Sequence, residues 1–142
     1  GADGFERCVK MAEGLAAKVP DLARLRAPVT ATLKYVEREI TLPKSTMPFM
    51  PKTTVIGLLV FGEAALVCVP GEMGVELGLE LKKALRGRGF RHAWILGLAN
   101  DHLGYFLTEE QFRKGGYEAS ISFYGPRMGP WLVERLLELA PE

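Results

Sequence analysis

The stretch VIGLLVFGEAALVCVPGE, residues 55–72, decides how this chain folds. Two apolar runs meet at Gly62–Glu63, and a glycine-led two-residue turn between such runs signals a β-hairpin. Almost no position in either run is polar, so both strands are expected to be buried on both faces. The second run stops at Pro70-Gly71, and a carboxylate, Glu72, follows at once.

Downstream, Met73, Leu77, Leu81 and Leu85 recur at helical spacing and predict a helix over 73–85, stopped by Gly87 and Gly89. Gly74 and Gly78, four apart, let that helix approach its sheet closely. RHAWILGLAN (91–100) reads as another buried strand, and 103–107 as a loop or short extended piece. Thr108 and Gln111 fit a capping box, with Leu107 and Phe112 at the staple positions. A short helix is therefore predicted to start at Glu109 and to end before Gly115-Gly116. YEASISFYGP (117–126) reads as extended, and WLVERLLELA as a final amphipathic helix with Pro130 in its first position.

Upstream, Phe5, Cys8 or Val9, Ala12 and Leu15 predict a helix over 3–18, capped by Asp3 and followed by Pro20. TATLKYVEREIT (30–41) reads as a strand whose Lys34, Glu37, Arg38 and Glu39 meet water on one face or at an edge. PKSTMPFMP (43–51), with three prolines, is neither helix nor central strand. The expected class is α/β: a layered mixed sheet with flanking helices, formed by residues 1–142 as a single segment.

The chain has 142 residues, room for one ordinary core and not two. With 18 basic and 17 acidic residues its net charge is +1, which gives no reason to expect nucleic acid as a partner. Lys82, Lys83, Arg86, Arg88 and Arg91 cluster at a predicted helix end, where cations suit the dipole. No apolar run approaches the roughly 18–20 residues of a transmembrane segment. The first residues lack the pattern of a signal peptide, and the compartment stays open. Cys8 and Cys68 are expected as buried free thiols.

Three places hold side chains suited to chemistry. Glu72 stands where a buried strand ends and a helix opens, the position at which layered α/β proteins bind ligands. ANDHLGY (99–105) follows the next buried strand, and its Tyr105 is able to bind a cation as phenolate. Gly115-Gly116 allows a tight turn that presents Tyr117, whose hydroxyl suits a developing oxyanion. Each also has a purely structural reading, as a dipole-favoured acid, a turn or a half-buried aromatic.

In order and spacing these motifs resemble the neutral/alkaline, non-lysosomal ceramidase family. VPGE (69–72) is similar to that family's strand-end motif with a zinc-ligating glutamate, GLANDHLGY (97–105) to the strand and loop with a zinc-ligating tyrosine, and GGYEASISFYGP (115–126) to its YEG-A-S-x-x-YGP stretch. GFERCVKMAE (4–13) resembles the helix that follows the family's nucleophile-region loop. The resemblance implies the C-terminal half of a catalytic domain that hydrolyses amides with zinc. Glu72 and Tyr105 would be ligands, and Tyr117 would face the substrate amide. The family's two zinc-ligating histidines and its Gly-Asp-x-Ser-Pro loop match nothing here, since His92 and His102 sit in other motifs. Met73-Gly74-Val75-Glu76 replaces the family's Thr-rich, Ala-Gly-Arg-Arg segment, and the lipid-facing segment is reduced to PKSTMPFMP. The expected partners are therefore an N-terminal half of the same polypeptide, or further copies of the chain, and an amide or lipid-like substrate. The alternative is a non-catalytic fragment or small-molecule binding module that keeps the scaffold without a complete metal site.

Overall fold

The computed structural model describes residues 2–26 and 31–141, in two compact units divided after Thr30. The first unit holds α1 (Ala2–Ala16) and α2 (Val19–Arg24). Pro20 does more than follow the first helix. It sits in the first turn of α2, where its missing N–H costs nothing. The capping role expected of Asp3 lies outside the described side chains. Cys8 is exposed, not buried, and both cysteines are free.

The second unit opens with β1 (Leu33–Thr41), β2 (Thr53–Phe61) and β3 (Ala64–Cys68). They form an antiparallel meander whose second turn is the expected hairpin, with Phe61 opposite Ala64 and Gly62 at φ 57°. Thr30, the expected start of β1, lies outside the described residues. After the two-residue β4 (Glu72–Met73), the helix α3 (Val75–Gly87) carries the chain to β5 (His92–Leu96), which joins β3 in parallel. The sheet is thus mixed, in the order β1-β2-β3-β5. A second small sheet pairs β4 with β6 (Tyr105–Phe106). Three helices finish the unit: α4 (Glu109–Lys114), α5 (Tyr117–Ser120) and α6 (Met128–Leu137).

One face of the main sheet is the core. Leu58, Ala65 and Val67 lie within one cluster with Leu77, Leu81 and Leu85 of α3 and Leu132 and Leu136 of α6. Each such buried leucine contributes about 1.5–3 kcal/mol relative to exposure. Gly78 lets α3 pack closely on β5: a Cβ there would stand 3.2 Å from Ile95 Cδ1, which would have to give by a few tenths of an ångström. Arg88 just beyond α3 donates to the carbonyls of Leu137 and Ala140, so this member of the basic cluster satisfies the end of α6.

Four expectations need correction. The strands are not buried on both faces: the row through Tyr35, Leu59, Leu66 and Trp94 is only partly covered or exposed. Met73 belongs to β4, because its neighbours pair with β6 before the helix begins at Val75. Residues 117–126 are not extended. The reversal at Gly115 and Gly116 (φ 77° and 101°) starts the helical turn α5, and Ser120 Oγ donates back to the Tyr117 carbonyl. Finally, α6 begins at Met128, so Pro130 is third in its first turn, still among the positions whose N–H has no intrahelical partner. The capping box at Thr108 and Gln111 forms as read from the sequence.

Candidate functional site

Glu72 is positioned by backbone. The chain leaves β3 through Val69-Pro70-Gly71, and Gly71 passes so close to β6 that a Cβ there would stand 2.5 Å from the Gly104 carbonyl. Glycine is the residue that allows this approach. The Glu72 N–H then donates to Gly104 O at 2.9 Å, and Gly74 N–H to Phe106 O at 2.8 Å. This register makes Glu72 and Tyr105 direct partners on neighbouring strands, whose side chains therefore share a face.

Tyr105 is held from its other side as well. Its N–H donates to Ile121 O at 3.2 Å, and Ser122 Oγ donates to its carbonyl. The segment expected to be extended thus turns and anchors β6. Past the double glycine, α5 brings Tyr117 against Tyr105, ring centroids 6.1 Å apart and edge to face. Glu72, Tyr105 and Tyr117, three residues from three motifs, meet at one place.

Their electrostatics are acidic. Hydrogen bonding with Glu72 chiefly holds the Tyr105 phenol above its ordinary value, followed by burial and by the charges of Glu72, Tyr117 and Glu118. A cleft of about 480 Å³ opens here, lined by Glu72, Tyr105, Gln111, Lys114 and Glu118 among others. Gln111 was legible as a capping residue. Its second contact, an amide N–H donated to the Glu76 carboxylate across the cleft wall, was not. No motif announced Glu118 or Lys114 as lining residues, because helical phase and a tertiary turn bring them in.

Two other polar candidates turn elsewhere. Asn100, at φ 74°, donates through its amide to Val55 O at 3.1 Å, and Asp101 accepts from Thr54 Oγ1 at 2.6 Å. They tie the 97–104 loop to β2. His92 pairs in register with Ala64, eight residues before Glu72 and so roughly 25 Å away along an extended chain. It stacks on Trp94 at 5.6 Å. His102 is exposed in the loop. Among the described residues, no three of His, Cys, Asp and Glu gather as a metal shell.

The site therefore has two oxygen donors of the kind zinc accepts, a carboxylate and a phenol, side by side. They fit half a shell.

No family model matches the chain. Its sequence is 32% identical to neutral ceramidase A of Dictyostelium discoideum over 85 residues, which is 56% of this chain and 12% of that protein. It is 28% identical to neutral ceramidase B of the same organism over 126 residues, 84% of this chain and 17% of that one. The neutral ceramidase of Pseudomonas aeruginosa is 29% identical over 87 residues, 58% of this chain and 13% of its own length. The chain thus spans less than a fifth of these curated relatives. The crystal structure of the Pseudomonas aeruginosa neutral ceramidase superposes with a TM-score of 0.61 at 24% identity, covering 66% of this chain and 16% of that one, which establishes the shared fold. With relatives of one kind matching most of its residues and the same fold, the chain is similar in sequence and in fold to part of the neutral ceramidases.

Proposed function

We propose that these residues form the C-terminal half of the catalytic domain of a zinc-dependent amide hydrolase of the ceramidase kind. Glu72 and Tyr105 are its zinc ligands in this reading, and Tyr117 steadies the oxyanion. The observation that carries it is the pairing of Glu72 with Tyr105 across β4 and β6, with Tyr117 beside them. Zinc, when bound, supplies a Lewis acid for the amide carbonyl and lowers the pKa of a water. Glu72 contributes a carboxylate oxygen held by its strand, and Tyr105 a phenol whose proton is lost on ligation. Tyr117, two-thirds exposed at 69%, is free to donate its hydroxyl to the oxygen on which negative charge develops. In this reading the other ligands come from polypeptide outside residues 1–142, since His92 lies at the far end of the sheet and among the described residues neither histidine gathers with the acids as a metal shell.

The test uses the full polypeptide. Metal content and hydrolysis of an N-acylated sphingoid base are measured for the parent, Glu72→Gln, Tyr105→Phe and Tyr117→Phe. The first two variants should lose zinc and activity together. Tyr117→Phe should keep zinc and lose about 10²–10³ in kcat, the usual effect of removing one oxyanion donor. Full zinc content in both Glu72→Gln and Tyr105→Phe would refute the assignment. The isolated chain should bind zinc weakly, as two ligands do not close a tetrahedral shell. Calorimetry showing tight binding abolished by changing His92 or His102 would place a complete site within this chain and favour the stand-alone binding module.

A further inference from the structure

The two edges of the main sheet differ. β1, LKYVEREIT, carries four charged side chains in nine residues, the usual protection of an edge that meets water. β5, HAWIL, carries no Asp, Glu, Lys or Arg. Among the described residues β5 pairs with β3 alone. His92 N–H donates to Glu63 O, and Leu96 O accepts from Val69 N–H, so residues 92, 94 and 96 turn their backbone groups toward β3. In a parallel ladder the alternate residues, Ala93 and Ile95, turn theirs away. Such groups are satisfied by water while the edge is open, and wherever an apolar surround excludes water they need another strand.

The surroundings agree. A cleft of about 460 Å³ follows this edge, bounded by Ile95, Gly97 and Leu98 on one side and Gly78 of α3 on the other, and Glu72 also lines it. On the sheet face turned away from α3 and α6, Trp94 and Leu96 are 45% and 47% exposed, and Tyr35 on the same row as Trp94 is 49% exposed. A bare apolar edge and a bare apolar face on one strand point to a missing neighbour.

We infer that β5 is an interior strand of a wider sheet, and that a β-strand from polypeptide outside residues 1–142 pairs with its free edge and brings the layer that covers Trp94 and Leu96. This rests on the reading of the chain as part of a larger ceramidase-like protein, and not on zinc. Relatives several times longer than the chain supply ample polypeptide for this role, which favours it over a second copy.

Hydrogen exchange on the full polypeptide tests the pairing with an internal reference. The Trp94 and Leu96 amides are bonded to β3, so Ala93 and Ile95 should be protected to within about tenfold of them. Exchange at Ala93 and Ile95 more than about 100-fold faster than at Trp94 and Leu96 would overturn the inference. Protection that disappears on dilution would assign the edge to a second copy and overturn it too, as would an encoded polypeptide no longer than these residues. Acrylamide quenching in a Trp131→Phe background gives a second reading: Trp94 should be shielded, and full quenching counts against the covering layer. A protein that lacks zinc yet protects Ala93 and Ile95 sinks the hydrolase reading and leaves this one standing.

Discussion

Replacing Gly104 by alanine tests how the site is built. Gly104 has φ 86°, and a Cβ there would stand 2.2 Å from the carbonyl oxygen of Ile121 and 3.2 Å from the Phe123 ring. The left-handed backbone alone costs a non-glycine residue about 1–2 kcal/mol. The Ile121 carbonyl is not a flexible side-chain tip, because it accepts the Tyr105 N–H. Moving it strains the packed segment by about 1–3 kcal/mol more. The sum, roughly 2–5 kcal/mol, is a large part of the total stability of an ordinary domain, about 5–15 kcal/mol. Gly89→Ala is the control, since φ there is 94° but nothing lies within 4 Å of its Cβ. It should cost only the conformational part, about 1–2 kcal/mol. Urea unfolding of both variants, compared at equal m-value, reads the difference directly. A gap below about 0.5 kcal/mol, the scatter of ordinary surface substitutions, would refute the claim that Gly104 is required by the close packing of β6 on residues 121–123.

Thr54→Val removes the donor to Asp101 without changing side-chain shape and leaves a partly buried carboxylate short of a partner, so it should cost about 1–3 kcal/mol. Combining it with Asp101→Asn in a double-mutant cycle should show coupling, and additive losses would mean that the loop is anchored otherwise. Thr108→Ala deletes the cap of α4 and should cost about 1 kcal/mol, read by thermal unfolding. Tyr124 donates its phenol proton to Pro51 O at 2.9 Å, and burial first, then the Asp101 charge, holds its pKa up. A raised folded value means this contribution is complete below the ordinary tyrosine pKa of about 10 and is lost as pH rises through the folded value. Unfolding measured above about pH 10 should therefore show a steeper loss in the parent than in Tyr124→Phe. Parallel curves would remove Tyr124 from the alkaline limb.

The hairpin at Gly62–Glu63, the capping box at Thr108 and the helices flanking the sheet were legible in the chain itself, because each depends on residues within a few positions of one another. Motif order and spacing singled out Glu72, Tyr105 and Tyr117 as candidate site residues. Their places after buried strands at one sheet edge also suggested that Glu72 and Tyr105 meet; the register of that meeting was not legible. It follows from β4 pairing with β6 across more than thirty residues of chain, a register fixed by Gly71 and Gly104 passing without side chains. Local pattern misjudged residues 117–126, which read as extended. The two glycines before them reverse the chain, and the backbone of Ile121 and Ser122 serves Tyr105 instead of a sheet. It also misjudged the burial of the strands, since apolar composition records what a residue prefers, not whether the polypeptide at hand supplies the layer to satisfy it. Residue identity set the preference for burial on both faces of β2, β3 and β5. Only the tertiary structure decided that α3 and α6 cover one face, while among the described residues Tyr35, Trp94 and Leu96 on the other stay about half exposed and β5 pairs with β3 alone.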